Sequence, residues 1–202
     1  MSLWLPADPL VLASKSAPRR AMLEAAGIAL EVCPADLDER SLEAKVASAG
    51  EGGVAAFLAR EKAMAVARSK PGRLVLGADQ TLALGARQFA KPADRAAARE
   101  QLRALSGRVH ELHSAVAFVQ DSTVLYEHAA MARLTMRPLS DRLLERYLDT
   151  AAGAATASVG AYQIEGVGIQ LFERLDGDYF TILGLPLLAV LDFLRRRGCL
   201  VQ

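Results

Sequence analysis

The chain alternates between two hydrophobic periods. Leu10-Val11-Leu12-Ala13 and Leu74-Val75-Leu76-Gly77-Ala78 are nearly continuous apolar runs of strand length, the pattern of strands buried on both faces of a sheet. Between them Val54, Leu58, Lys62 and Val66 recur every four residues, which is the stripe of an amphipathic helix. The same logic predicts a first helix from about Arg19 to Ala26, stopped by Gly27. A second strand is expected over Ile28–Cys33, broken by Pro34. Gly50–Gly53 reads as a flexible approach to a helix over Val54–Ser69, which Pro71-Gly72 ends.

Ala93–Ser106 is rich in Ala, Arg, Glu and Leu and predicts a helix with Gly107 as its stop. His110–Gln120 alternates weakly and reads as a strand; after the turn Asp121-Ser122, Val124–Thr135 suggests a further strand pair. Ser140 is placed as the N-cap of a helix to about Leu148, and Asp141 favours the same start. The small residues of Gly153–Gly160 predict a mobile connection. Ile169–Leu175 and Tyr179–Leu183 flank Asp176-Gly177-Asp178, a hairpin signal. Leu185-Pro186 opens a last amphipathic helix to about Arg197. The expected class is α/β, with a smaller antiparallel part in the second half.

Composition narrows the partners. At 202 residues the chain can build one substantial core, or two small lobes sharing a sheet. A net charge of +1 argues against a broad nucleic-acid surface, although local basic clusters can still bind a small polyanion. Cys33 and Cys199 lie far apart with no metal-ligand spacing, so neither a zinc site nor a disulfide framework is indicated. No run approaches the roughly 20 apolar residues of a membrane span. The N-terminus lacks a basic region followed by an apolar stretch, so the expected location is cytoplasmic.

Asp79 closes the second apolar run, and Lys91 follows twelve positions later in a loop. A carboxylate at the carboxyl end of a strand is where ligands gather in open α/β sheets. Buried alone it would be costly, so it needs a metal, a cation or solvent. Asp79 could act as a general base towards water or as a metal ligand, with Mg²⁺ or Mn²⁺ favoured by oxygen donors and no His/Cys cluster. Asp38 and Glu39 could complete such a site or simply be solvated. Lys62 lies on the apolar stripe, where a lysine either snorkels to the rim or meets a buried anion.

The first loop, Ser14-Lys15-Ser16-Ala17-Pro18-Arg19-Arg20, adds complementary groups. A strand-to-helix turn offers free N–H groups to an anion, Ser14 and Ser16 add hydroxyls, and Arg19 and Arg20 add planar forks suited to phosphate. The bland alternative is an ordinary capped helix. His110 and His113 lack obvious catalytic partners and read as structural. No P-loop sequence occurs. Together these groups point to metal-assisted chemistry on a phosphate ester.

The same residues resemble the Maf family of nucleotide pyrophosphatases. The similarity rests on Leu12-Ala13-Ser14-Lys15-Ser16-Ala17-Pro18-Arg19-Arg20, Glu61-Lys62-Ala63, Gly77-Ala78-Asp79, Lys91-Pro92, Leu105-Ser106-Gly107 and Gly184-Leu185-Pro186-Leu187, in family order over most of the chain. The resemblance implies one elongated, ITPase-like α/β domain over residues 1–202, with a mixed sheet, flanking helices and two lobes around a cleft. It implies divalent-metal-dependent cleavage of nucleoside triphosphates to monophosphate and pyrophosphate, and a homodimer. By position Asp79 becomes the proton acceptor for water. Ser16, Arg19, Lys62 and Lys91 become triphosphate contacts, beside Ser14 and Arg20 from the reading of the first loop, and Glu39 becomes a candidate for metal or water positioning with Asp79.

Gln80 and Glu165 resemble the branch that hydrolyses 7-methyl-GTP rather than the one acting on dTTP and UTP. A carboxylate such as Glu165 could accept from the N1–H and amino group of a guanine edge. That branch usually carries Pro-Trp before the two arginines; here Ala17-Pro18 stands instead. Pro18 removes a stacking surface worth about 1–3 kcal/mol per base, so a broader triphosphate range is plausible. The competing expectations are a non-catalytic regulator of cell division and a relative of the inosine-triphosphate pyrophosphatases.

Overall fold

The computed structural model describes residues 3–46 and 50–201. In chain order its elements are β1 (Leu10–Leu12), α1 (Ala17–Ala25), β2 (Leu30–Val32), α2 (Glu39–Val46), α3 (Gly50–Ala67), β3 (Leu74–Leu84), β4 (Arg87–Phe89) and α4 (Arg95–Leu105). Then come β5 (Val109–Gln120), β6 (Thr123–Met136), α5 (Asp141–Ala151), α6 (Ala154–Ala157), β7 (Phe172–Asp176), α7 (Tyr179–Ile182) and α8 (Leu187–Arg196). The seven strands form one mixed sheet in the order β2-β1-β3-β5-β6-β7, with β4 paired to β3. This is the α/β class expected. β1 runs parallel to β2 and β3, whereas β3–β4 and β6–β7 are antiparallel.

The chain divides into two compact units, each assembled from separated segments: residues 1–80, 113–130 and 178–202 in the first, 81–112 and 131–177 in the second. The first is a three-layer sandwich. Leu10, Leu12, Leu76, Ala78, Val116 and Phe118 point to one face of the sheet, against Met22 and Leu23 of α1 and Leu187, Val190, Phe193 and Leu194 of α8. Val11, Ala13, Val75, Ala115, Ala117 and Val119 point to the other, against Ala55, Ala59, Ala63 and Val66 of α3. Such alternation follows from the two-residue period of a strand.

In the second unit, α4 is capped by Asp94, whose Oδ1 accepts from the Ala97 N–H at 2.8 Å, and α5 by Ser140 (3.2 Å to the Leu143 N). The two helices are laced by Arg95, Arg99 and Arg103 reaching Glu145 and Asp141. Among the described residues no helix is long and apolar enough to cross a membrane, and both cysteines are free thiols.

Several expected elements come out differently. The strand expected to stop at Ala78 continues to Leu84: β5 is its other neighbour in the sheet, and β4 pairs with Leu82–Leu84 beyond the reach of β1. Asp79 therefore lies within a strand, three residues past Leu76, the last that β1 pairs. Residues 124–135, expected as a strand pair, belong to one long strand, β6. Gly50–Gly53 belongs to α3 rather than approaching it. The expected mobile connection at 153–160 contains α6 and a 3₁₀ turn over Val159–Ala161.

The hairpin expected around Asp176-Gly177-Asp178 is absent. β7 pairs instead with β6, most of Ile169–Leu175 is divided between a 3₁₀ turn (Val167–Leu171) and β7, and α7 replaces the second strand. Asp178 starts α7 by accepting from the N–H and hydroxyl of Thr181 at 2.7 and 2.9 Å. The Asp signal is real but belongs to a helix cap.

Candidate active site

Lys62 is delivered to the sheet by its stripe. Val54, Leu58, Lys62 and Val66 are all buried, so α3 lies flat on the face that carries Val75, Gly77 and Asp79. Gly77 makes the approach possible: a Cβ there would run into the Ala59 carbonyl oxygen and stand 2.8 Å from the Ala63 nitrogen. With that spacing, the Lys62 Nζ donates to Asp79 Oδ1 at 2.6 Å and pairs with Glu39 Oε2 at 2.9 Å. The snorkelling alternative is thereby removed. Lys62 and Asp79 are 8% and 7% exposed, whereas the first residue of α2, Glu39, is half exposed.

Arg19 enters from the opposite face, on α1. Its Nε donates to the Gly184 carbonyl at 2.8 Å, and its Nη1 to the Ala78 carbonyl at 2.9 Å and the Ser14 Oγ at 3.1 Å. Nη2 is left with no hydrogen bond among the described residues. Ser14 also accepts from the Ser16 N–H at 3.3 Å, and Ser16 caps α1 through the Arg19 N–H at 3.5 Å. The helix end thus has fewer free N–H donors than the sequence suggested, since Pro18 has none and Arg19 is capped.

Burial governs the electrostatics. It raises the Asp79 carboxyl above the usual carboxylate range, and the charges of Lys62 and Arg19 pull the other way without cancelling it. Burial likewise lowers the Arg19 pKa, opposed by Asp79 and Glu39. A carboxylate of raised basicity, fixed by an ammonium at one oxygen, is equipped to take a proton.

The remaining sequence candidates have varied placements. Arg20 is on the exposed side of α1, paired with Glu24 at 2.7 Å. Pro18 lies in the first turn of α1. Gln80, next to Asp79, faces the other side of β3, where its Nε2 lies 3.0 Å from Ser114 Oγ, 3.2 Å from the Thr181 carbonyl and 3.0 Å from the Ile182 carbonyl. Lys91 and Glu165 belong to the second unit and are exposed.

The segment before Glu165 is tied down at several points. Gln101 Oε1 accepts from the Gly160 N–H (3.2 Å), Tyr147 donates to the Ala161 carbonyl (3.0 Å), and Tyr162 meets His110 Nε2 at 2.7 Å. Glu165 and burial together push the Tyr147 phenol up to about 12, burial contributing more. Ser114 and Thr181 escaped the sequence reading, and Gly184 entered it only within the Gly184-Leu185-Pro186-Leu187 motif, with no role of its own. The structure gives Gly184 a φ of +94°, which fits glycine.

A buried strand carboxylate gripped by a lysine, with an arginine on the adjoining peptide, is the polar centre of this α/β protein. The chain belongs to the Maf family: the model described as "Maf-like protein" matches residues 9–197. A nucleoside triphosphate pyrophosphatase of Rhodopseudomonas palustris is 57% identical over 200 residues, 99% of each chain. One of Bradyrhizobium diazoefficiens is 53% identical over 195 residues, 96% of each. A 7-methyl-GTP pyrophosphatase of Mesorhizobium japonicum is 52% identical over 195 residues, 96% of this chain and 98% of that one.

Proposed function

We propose that this chain hydrolyses nucleoside triphosphates to the monophosphate and pyrophosphate, with 7-methyl-GTP as its preferred substrate. The observation that carries the reading is the Glu39–Lys62–Asp79 array, with Lys62 Nζ at 2.9 and 2.6 Å from the two carboxylates. The names borne by the similar chains support the coarser activity, and one supports the base.

In this reading Lys62 holds Asp79 Oδ1, which leaves Oδ2 to accept a proton from water. The deprotonated water attacks the α-phosphorus, and the bond from that phosphorus to the bridging oxygen breaks. Pyrophosphate departs with the electron pair. Arg19, through Nη2, and Ser16 bind phosphate oxygens and offset their charge, as positioning and electrostatics dominate phosphoryl chemistry. Lys91 and Glu165 enter this reading on the sequence resemblance alone, Lys91 as a candidate cation for the phosphates and Glu165 as a candidate acceptor for the guanine edge.

Glu39 and Asp79 fit a divalent cation. Both are hard oxygen donors, and two carboxylates completed by substrate phosphates are a donor set that Mg²⁺ accepts. Among the described residues no cluster of three or more His, Cys, Asp or Glu offers a protein-only cage. When bound, the cation would neutralise charge developing on the phosphate oxygens.

The test is pyrophosphate release from 7-methyl-GTP, GTP, UTP, dTTP and ITP with Mg²⁺, Mn²⁺ or Co²⁺. The expected result is turnover that is fastest on 7-methyl-GTP and collapses in Asp79→Asn. A purified, folded protein that cleaves none of them refutes the reading.

A further inference from the structure

Gln80 comes directly after Asp79, so strand geometry sends its side chain to the opposite face of β3. There it meets the end of α7, where the Tyr179, Phe180 and Thr181 carbonyls accept from the N–H groups of Leu183, Leu185 and Gly184 and Ile182 is left to a side chain. Gln80 Nε2 is directed at two of these, Thr181 and Ile182, at 3.2 and 3.0 Å. Ser114 Oγ donates to the Thr181 carbonyl at 2.8 Å and lies 3.0 Å from Gln80 Nε2. With Asp178 at its start and Gln80 and Ser114 at its end, α7 is capped at both ends by side chains.

The turn leaving α7 reaches the site. Gly184 bends the chain with φ +94° and presents the carbonyl that Arg19 Nε binds at 2.8 Å. A Cβ at Gly184 would stand 3.3 Å from Gln80 Oε1 and 3.5 Å from Arg19 Nε and Nη2. Gly184 therefore has the ends of both the Gln80 and the Arg19 side chains beside it.

We propose that Gln80 is a positioning residue: by capping α7 together with Ser114 it fixes the Gly184 carbonyl, and through it the guanidinium of Arg19, instead of reading the nucleobase. The amide nitrogen that base reading would use is already spent on two carbonyls and a hydroxyl. The consequence concerns every substrate alike, because Arg19 meets the phosphates common to all of them. The proposal rests on the pyrophosphatase reading only for what Arg19 grips. Its structural half stands by itself.

The test pairs steady-state kinetics on 7-methyl-GTP and UTP with calorimetric binding of pyrophosphate, for wild type, Gln80→Met and Ser114→Ala. Gln80→Met keeps the length of the side chain and removes its donors. Leaving the buried Ile182 carbonyl without its partner is expected to weaken pyrophosphate binding and lower kcat/KM by about tenfold for both nucleotides, with their ratio unchanged. Ser114→Ala, which cannot touch a base, should reproduce part of that loss at the same unchanged ratio. A shifted 7-methyl-GTP to UTP ratio with intact pyrophosphate binding overturns the proposal, as does a Ser114→Ala protein identical to wild type. A wild type that cleaves no nucleotide defeats the enzymatic reading instead, and the pyrophosphate measurement still decides the relay.

Discussion

The Lys62 ammonium and the Asp79 carboxylate lie 2.6 Å apart with both side chains 9% exposed, and neither would be tolerable there without the other. Removing one partner of a buried pair leaves an uncompensated charge, which costs about 3–5 kcal/mol. Lys62→Met should therefore lower the unfolding free energy by an amount of that order in urea denaturation. Asp79→Asn combined with Lys62→Met should cost much less than the sum of the single changes, which a double-mutant cycle measures. Additive effects would mean that the pair does not form.

Gly77 sets how closely α3 can approach β3. A methyl group at that position meets the backbone of Ala59 and Ala63 rather than a movable side chain. Gly77→Ala should cost about 1–3 kcal/mol through overpacking. It should also abolish more activity than its stability loss explains, because Lys62 is carried away from Asp79. Thermal melts together with turnover at a temperature where the variant is folded separate the two effects.

His110 predicts an acid-labile second unit. Burial lowers its pKa from 6.5 to about 4, so the unfolded chain binds a proton that the folded chain refuses between those values. The stability this contributes is fully present above pH 6.5 and is lost as pH falls towards 4. The difference is of order 3 kcal/mol. His110→Gln removes the titration, so subtracting its stability profile from that of wild type should reveal this window. Glu31, Asp141 and Glu145, whose pKa values are lowered by their basic partners, also lose stability in acid. They do so in both proteins and drop out of the difference.

Substitutions at Glu165 and Gln80 should differ in their dependence on the base: selective at Glu165, uniform at Gln80. If Glu165 accepts from a guanine edge, Glu165→Gln should lower kcat/KM for 7-methyl-GTP roughly tenfold or more, as expected for a charge-assisted hydrogen bond. UTP turnover and pyrophosphate binding should stay near wild type. A uniform loss across nucleotides would remove Glu165 from the base pocket.

Legibility in the sequence depended on how far the relevant partner lay. Lys62 was legible because its stripe is local, and Asp79 because an apolar run leads up to it. The extent of β3 was not, since its continuation lies among the later strands β4 and β5. Asp178 carried a local signal that two structures share, hairpin turn and helix cap; the partner of β7 is β6, far back in the chain, which no turn motif announces. Gln80 depends on Ser114, Thr181 and Ile182, 34, 101 and 102 residues away. Nothing in its neighbourhood hints that its amide would close a helix.

The alternation along β3 has a further consequence for how this chain can vary. Val75, Gly77 and Asp79 serve one layer, and Leu76, Ala78 and Gln80 the other. Inserting or deleting one residue in this stretch would exchange the two sets, setting the carboxylate against α7 and the amide against Lys62. Length changes are thus forbidden where substitutions can still be sampled. β3 acts as a reading frame within the protein, and its spacing should be the last feature of the chain to drift.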